Sequence, residues 1–226
     1  MKCEYTKSMS HSEYLDEFDR YIMKFSSFLP LNRDYDRVLE LGPGHIPRLL
    51  PGRLINNLQY LGIEKSKAAF DDCQRLFKNE QIRFLNLDVS EYLPEEDFDL
   101  ILDSRTMHCL SSYENWLRTL QNLASSLTDG GVFLGEMAVK SDQMDFSWPY
   151  FYDEQTSILY KDGKANRLIL DSKIVEKAFQ FCGLKIFYFT IPFGMKVIFD
   201  DSRDKIKTED PDILRFVTIK DRSNLY

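Results

Sequence analysis

Acidic residues stand at the ends of three strand-like apolar segments in the first half of the chain. Glu64 ends the segment QYLGIE, Asp88 follows FLNL, and Asp103 ends FDLILD. Upstream, an apolar run drops into Gly42-Pro43-Gly44, two glycines separated by one residue. Glycines at such a turn let a nucleotide-like ligand approach the backbone, and carboxylates accept hydrogen bonds from ribose hydroxyls or an exocyclic amine. Because the carboxyl ends of parallel strands meet at one edge of a sheet, this pattern predicts a nucleotide-like binding site there.

The residues after the glycine pair argue against a dinucleotide. The pattern G-x-G-x-x-G needs a glycine at position 47, where this chain has Pro47. Pro51 breaks or kinks any helix that follows, so we expect that helix to be short. A cofactor without phosphate groups has less use for a well-formed helix N-terminus. A dinucleotide-dependent oxidoreductase is therefore the weaker interpretation.

The segments around these residues alternate between strand and helix patterns. Apolar runs predict strands at Arg37–Leu41, Gln59–Glu64, Ile82–Val89, Phe98–Asp103 and Val132–Ala138. Helices are predicted at Ser66–Phe77 and after a capping box at Ser111 and Glu114, the latter ended by Asp129-Gly130-Gly131. Alternating strands and helices imply crossover connections and a largely parallel sheet that is covered on both faces.

The two ends of the chain follow other patterns. Ser10 with Glu13 fits a capping box, and aromatic residues at helical spacing as far as Phe28 predict an N-terminal helix. Residues 141–165 show no clear periodicity and are expected to form a lid-like insertion. A helix over 172–181 then leads to short strands predicted at Lys185–Ile191, Met195–Phe199 and Arg215–Lys220. Strands this close in sequence more often pair antiparallel.

The composition excludes several classes of protein. The 226 residues are 43% hydrophobic and 29% charged, which is typical of a globular chain. A net charge of −7 without a segregated basic patch disfavours a nucleic-acid partner, and no apolar run is long enough to predict a membrane span. Four scattered cysteines favour reduced thiols over a disulfide framework or a zinc site, so we expect a cytoplasmic protein.

Taken together, these segments resemble the class I S-adenosylmethionine-dependent methyltransferases. The resemblance spans roughly residues 37–138 and rests on the runs ELGPG (40–44), LGIE (61–64), LDV (87–89), FDLILD (98–103) and LTDGG (127–131). It implies a doubly wound, mostly parallel seven-stranded α/β sheet with an antiparallel C-terminal strand, and S-adenosylmethionine as the cofactor. Ile46 departs from the resemblance, since the family often has a third glycine at that place.

By this resemblance, a set of residues at the strand ends surrounds the cofactor. The set comprises Glu40, Gly42, Pro43, Gly44, His45, Glu64, Lys65, Asp88, Val89, Asp103 and Ser104. The glycine turn lies under the methionine part, Glu64 holds the ribose, and Asp88 with the Val89 amide holds adenine. The backbone near Asp103 and Ser104 faces the amino-acid end, and Glu40 is expected to order the turn.

The sequence defines the catalytic group less clearly than the cofactor site. His108 lies a few residues beyond the fourth strand, where the loop borders the methyl group, and histidine titrates near neutral pH. It is our candidate general base, with packing as the alternative. A metal-assisted transfer needs clustered carboxylates, and Asp103 and Glu136 are placed for it. The expected acidic residue and asparagine after the fifth strand are replaced by Met137-Ala138-Val139, so we expect no metal.

The acceptor is expected to bind on the insertion side. Trp148 and Tyr152 offer aromatic faces for a planar or cationic acceptor, and Arg167 can pair with a carboxylate. We expect oxygen or nitrogen methylation of a small molecule. The alternatives are a protein or peptide methyltransferase and a catalytically silent partner subunit that binds the cofactor. The sequence leaves the oligomeric state open.

No linker divides the chain, so we expect one methyltransferase domain over residues 1–226. Its expected parts are an N-terminal helical cap (1–30), a cofactor-binding core (31–140), an acceptor-side insertion (141–170), and a closing helix with antiparallel strands (171–226).

Overall fold

A computed structural model of the protein describes residues 35–48, 59–78, 80–199 and 206–221. The strands are β1 Arg37–Leu41, β2 Gln59–Ile63, β3 Ile82–Leu85, β4 Phe98–Ser104, β5 Leu127–Val139, β6 Tyr150–Asp153, β7 Ile158–Lys161, β8 Lys164–Leu168, β9 Leu184–Thr190 and β10 Asp212–Lys220. The helices are α1 Lys67–Leu76, α2 Tyr113–Ser125 and α3 Ser172–Phe181. The predicted N-terminal helix and Pro51 lie outside the described residues.

Seven of these strands form one twisted sheet in the order β3-β2-β1-β4-β5-β10-β9. Strands β1 to β5 pair in parallel, and β10 pairs antiparallel with both β5 and β9. The order reverses at β1, where the chain moves from one half of the sheet to the other, and ligands bind at such a switch point in open α/β sheets. The predicted α/β sheet with an antiparallel C-terminal strand is confirmed.

Alternation along the strands divides the core into two layers. Leu39, Leu41 and Ile101 pack with α2 and α3 on one face of the sheet. Val38 and Leu100 pack on the opposite face, where Cys73 of α1 reaches them. The continuous apolar runs of the sequence follow from this arrangement, because a parallel sheet covered on both faces buries successive side chains in both directions.

Side-chain caps fix where the helices begin. Ser66 accepts a hydrogen bond from the Ala69 N–H before α1, and Asp171 accepts one from the Lys173 N–H before α3. Before α2 the cap is Ser112, whose hydroxyl accepts from the Asn115 N–H. The expected cap at Ser111 is therefore wrong by one residue, because it is the Ser112 side chain that reaches the orphan amide of the first turn.

Several predicted strands also differ from the structure. The third strand ends at Leu85, because the Asp88 carboxylate caps a 3-10 turn at Val89–Glu91 instead of continuing the ladder. The fifth strand begins at Leu127, with the Asp129-Gly130-Gly131 run inside it at an irregularity in the pairing with β4. Met195–Phe199 forms no strand and makes a single bridge, between Lys196 and Asp212.

The insertion after β5 is more regular than its sequence suggests. Strands β6, β7 and β8 form a separate antiparallel sheet. A small apolar cluster that includes Ala138, Leu159 and Ile169 joins this sheet to β5. The Lys140 N–H donates to the Leu170 carbonyl at 2.9 Å, which ties the end of the insertion back to the carboxyl end of β5. No helix in the described ranges is long and apolar enough to cross a membrane.

Candidate functional site

The glycine turn after β1 is tightly enclosed. Gly42 has φ +63°, and a Cβ built on it meets the Thr106 Oγ1 at 1.9 Å. The Gly42 N–H donates to the Ile63 carbonyl at 2.8 Å, which fastens the turn to β2. Both the left-handed backbone and the lack of space require glycine at this position.

Glu40 holds the same turn from within the sheet. Its carboxylate is fully buried and accepts from the Arg48 N–H at 3.0 and 3.1 Å, from the Tyr60 hydroxyl at 2.9 Å and from the Ser104 hydroxyl at 2.8 Å. Burial raises the pKa of this carboxyl, and the hydrogen bonds partly offset that rise. The Glu40 carboxylate thus joins β1 to Arg48, to β2 and to β4, and its role in ordering the turn stays a prediction.

Glu64 connects the end of β2 to the glycine turn. Its Oε2 accepts from the Gly44 N–H at 2.9 Å, and its Oε1 accepts from the Ser66 N–H at 2.7 Å. The residue is only 9% exposed. Each carboxylate oxygen has two acceptor sites, so both keep capacity for a further donor. The turn and the acidic strand end, 20 residues apart, thus form one surface.

Asp88 lies beside them at the end of the third strand segment. Its Oδ1 accepts from the Ser90 N–H at 2.9 Å and the Ser90 hydroxyl at 2.8 Å, and its Oδ2 accepts from the Lys65 ammonium at 2.5 Å. Burial opposes ionisation, but Lys65 and Ser90 outweigh it and lower the pKa of Asp88. Val89, which follows, is buried. The Lys65 side chain is therefore turned toward Asp88.

Helix α1 contributes two contacts that the sequence did not indicate. The Cys73 thiol donates to the Gly44 carbonyl at 3.2 Å, and burial raises the pKa of this thiol to about 12. The His45 Nδ1 lies 2.7 Å from the Asp72 Oδ2. His45 thus pairs with α1. No motif could have revealed these partners, because they depend on how α1 packs against the turn.

The end of β4 forms a third wall of the site. Asp103 is fully buried, and its Oδ1 accepts from the Thr106 N–H at 2.6 Å and the Met107 N–H at 3.1 Å. Its Oδ2 is buried and has no hydrogen-bond partner within the described part of the chain. Burial, aided by the nearby Glu136 charge, raises the pKa of Asp103 to about 7. The loop therefore turns around this carboxyl group.

His108 lies in the 3-10 turn Met107–Cys109 that follows β4. The ring is buried, its Nδ1 accepts from the Ala138 N–H at 3.3 Å, and it packs 5.7 Å from the Phe199 ring. Burial, with added repulsion from Arg167 and Arg105, lowers the pKa of His108 to about 3. An Nδ1 that accepts leaves the proton of the neutral ring on Nε2. The geometry favours the packing interpretation over a general base.

The predicted acceptor residues are not all brought together. Trp148 is 85% exposed, and the Tyr152 hydroxyl donates to the Ile169 carbonyl at 2.9 Å within the insertion. Arg167 lies over the Phe199 ring, with 5.6 Å from its Cζ to the ring centroid. Of the three, the contacts place Arg167 nearest to the end of β4, since Phe199 also touches His108.

Glu136 forms buried ion pairs beside this loop that no motif in the sequence indicates. Glu136 of β5 has no exposed side-chain area and lies between Arg105 and Arg215. Burial opposes its ionisation, but the two arginines outweigh it and hold the pKa of Glu136 low. Within the described residues, no group of three or more His, Cys, Asp or Glu side chains is arranged to hold a metal ion.

A cavity of about 230 Å³ lies at the opposite edge of the sheet, lined by residues that include Arg37, Gln59 and Phe98. These residues begin strands β1, β2 and β4, whereas the candidate site lies where the strands end. We therefore place the functional site at the carboxyl edge, which is also where the strand order reverses.

Comparison with known proteins identifies the type of domain. Residues 39–133, which run from β1 into β5, match the family model described as a methyltransferase domain. This match identifies a class I S-adenosylmethionine-dependent methyltransferase domain in that part of the chain. Methyltransferase domains of this class use S-adenosylmethionine as the methyl donor. Among curated proteins no sequence matches.

Solved structures of methyltransferases share the fold at low sequence identity. CcbJ from Streptomyces caelestis is 12% identical with a TM-score of 0.62, covering 91% of this chain and 90% of that one. N-methyltransferase NodS from Bradyrhizobium japonicum WM9 is 15% identical with a TM-score of 0.60, covering 91% and 98%. A methyltransferase from Mesorhizobium loti is 15% identical with a TM-score of 0.60, covering 87% and 96%. The chain thus shares its architecture with proteins of distant sequence.

Proposed function

We propose that the carboxyl edge of β1, β2 and β4 binds S-adenosylmethionine and that a small molecule receives its methyl group. The observation that carries this proposal is the 2.9 Å hydrogen bond from the Gly44 N–H to the Glu64 Oε2. It joins the glycine turn and the acidic strand end into one surface, with an acceptor for ribose hydroxyls beside a backbone that admits close approach.

Each wall of this surface has a proposed role. The turn Gly42-Pro43-Gly44 lies under the methionine part, and Glu64 accepts from the ribose hydroxyls. Asp88 accepts from the adenine amine, with the Val89 amide facing the ring, and Lys65 holds the Asp88 carboxylate. The backbone at Asp103 and Ser104 faces the amino-acid end. Support for the last role is the adjacency of Leu41 and Asp103 in the β1–β4 register.

The chemistry requires alignment more than proton transfer. When bound, S-adenosylmethionine supplies an electrophilic methyl carbon on a sulfonium, and the sulfur departs as a neutral thioether. The residues around β4 and β5 fix the acceptor in line with that carbon and keep water away. Because His108 is neutral, buried and bonded through Nδ1, we assign no proton transfer to it. A nitrogen or oxygen acceptor that is already deprotonated fits such a site.

A small-molecule acceptor is supported by the position of the insertion sheet. Strand β8 leads into Leu170, whose carbonyl accepts from the Lys140 N–H at the end of β5, and Arg167 of β8 reaches the Phe199 ring beside His108. These contacts bring the insertion sheet to the carboxyl ends of β4 and β5, which favours a small-molecule acceptor over a polypeptide. The fold is also shared with NodS, an N-methyltransferase whose structure was solved with S-adenosylhomocysteine.

The test combines cofactor binding with methyl transfer. Calorimetry with S-adenosylhomocysteine should show binding at micromolar to submillimolar concentration, and no binding at millimolar ligand overturns the cofactor assignment. Transfer of a radiolabelled methyl group is then followed over small hydroxyl and amine compounds and, separately, over peptides and protein extract. Label in small molecules supports the proposal, whereas label confined to polypeptide assigns the alternative acceptor class.

A further inference from the structure

Three arginines and one glutamate form a cluster at the carboxyl edge of β4 and β5. We name Arg105, Glu136, Arg167 and Arg215 the arginine cluster. The Arg105 Nε and Nη2 donate to the Glu136 Oε2 at 3.0 and 2.8 Å, and the Arg215 Nε donates to the Glu136 Oε1 at 2.6 Å. Glu136 therefore connects the loop after β4 to β10.

Two guanidinium groups of the cluster each have a buried N–H group without a hydrogen-bond partner among the described residues. The Arg215 Nη2 and the Arg167 Nε are both buried, and neither has a hydrogen-bond partner among the residues that the structure describes. An unsatisfied buried donor is costly, and the cost rises when the group is charged. A bound ligand that accepts hydrogen bonds from these N–H groups would remove this cost.

The cluster occupies one region beside the proposed methyl-transfer site. In the sheet register Ser104 pairs with Glu136 and Glu136 pairs with Arg215, so the three side chains lie in one row across β4, β5 and β10. Arg105 follows Ser104 directly, and Arg105 and Arg167 are both close enough to His108 to lower its pKa. The insertion sheet thus brings Arg167 to the same edge.

The charge of the cluster favours an anionic ligand. Glu136 forms ion pairs with Arg105 and Arg215 but not with Arg167, and the His108 ring beside them is neutral at pH 7. Arg167 therefore brings to this edge a cationic group that has no ion pair among the described residues, in a chain with a net charge of −7. Arg167 lies over the Phe199 ring and its Nη1 donates to the Asn166 carbonyl at 2.9 Å, which leaves the buried Nε for an acceptor.

We propose that the methyl acceptor carries a carboxylate, which accepts from Arg167 and Arg215 while the nucleophilic atom faces the methyl group. One unpartnered donor on each of two arginines matches the two oxygens of a carboxylate. Arg105 and Glu136 act as positioning residues, since their ion pair holds Arg215 in place. This inference rests on the proposed methyl-transfer function and specifies the substrate class of the same site.

The test uses simple probes on the protein saturated with S-adenosylhomocysteine. Benzoate is titrated as the carboxylate, benzamide as its neutral counterpart and inorganic phosphate as a second anion, in a buffer free of other carboxylates. We expect benzoate to bind and benzamide to bind at least tenfold more weakly. Arg167→Gln should weaken benzoate binding about 10- to 100-fold through the lost charge-assisted hydrogen bond.

Matched variants separate this effect from unfolding. Arg118→Gln removes an exposed arginine of α2 and should leave benzoate binding unchanged. Arg167→Lys keeps the charge and should restore part of the affinity. Unchanged S-adenosylhomocysteine binding in Arg167→Gln shows that the fold is intact.

Each outcome bears on one proposal. Equal binding of benzoate and benzamide, binding of phosphate alone, no benzoate binding up to 10 mM, or full benzoate affinity in Arg167→Gln overturns the carboxylate assignment. Failure to bind S-adenosylhomocysteine overturns the proposed function instead. Among acceptors that are methylated, carboxylic acids should exceed their carboxamides at least tenfold in kcat/KM.

Discussion

The substitution Glu64→Gln tests the proposed ribose contact most directly. In the structure the two carboxylate oxygens accept from the Gly44 N–H at 2.9 Å and from the Ser66 N–H at 2.7 Å. An amide has one oxygen and one NH₂ group, so in either orientation one backbone N–H of the pair faces a donor. This leaves a nearly buried N–H without an acceptor and should cost about 1–3 kcal/mol of stability.

The effect on cofactor binding has a separate source. Hydrogen bonds from ribose hydroxyls to a carboxylate are charge-assisted, and each loses about 1 kcal/mol when the acceptor becomes a neutral amide. For two hydroxyls the expected loss is about 2 kcal/mol, which corresponds to an increase in Kd of about 30-fold. The free energy of binding is measured by calorimetry with S-adenosylhomocysteine, and the free energy of unfolding by urea titration of the free protein.

The control is Glu95→Gln, which changes an exposed glutamate three residues before β4, at the opposite edge of the sheet. This variant should bind S-adenosylhomocysteine as the wild type does. If Glu64→Gln remains folded and binds within twofold of the wild type, Glu64 does not hold the ribose. The cofactor then approaches the glycine turn from another direction.

The remaining predictions concern His108 and Gly42. Because burial lowers the pKa of His108 to about 3, the unfolded chain binds a proton below pH 6.5 that the native protein does not. Wild-type stability should therefore fall by up to about 1.4 kcal/mol per pH unit relative to His108→Asn from pH 6.5 toward pH 3, as urea titrations across pH would show. Turnover should persist in His108→Asn, and its loss with normal cofactor affinity would restore the role of base. Gly42→Ala should lose more stability than Gly163→Ala in denaturant titration, since both have positive φ but only Gly42 faces the Thr106 hydroxyl; equal losses would leave backbone strain as the sole cause.

The sheet and the glycine turn could be predicted because their signals are local. Apolar runs between polar breaks located the strands, and the acidic residues at Glu64 and Asp88 marked strand ends. The structure confirms the sheet and brings Gly44 and Glu64 into contact. The boundaries that were wrong depended on details such as the Asp88 cap, where a side chain competes with the strand ladder.

The arginine cluster could not be predicted because it depends on strand register. Glu136 and Arg215 are 79 residues apart in sequence and meet only because β10 enters the sheet antiparallel beside β5. Arg167 was recognised as a possible anion ligand, but its neighbours were not, since the insertion sheet carries little periodicity in its sequence. Contacts of this kind follow from tertiary packing and leave no short motif.

Hydrogen bonds to the sheet fix the conformation of the glycine turn before a ligand binds. The Gly42 N–H is bonded to Ile63, the Gly44 N–H to Glu64 and the Arg48 N–H to the buried Glu40. Glu40 in turn joins β1 to Tyr60 of β2 and Ser104 of β4. These amides should exchange with deuterium only when the sheet itself opens, so the entropy of ordering the turn is lost during folding. The cofactor then binds to a preorganised backbone, and its affinity should respond to mutations that loosen the sheet far from any atom it touches.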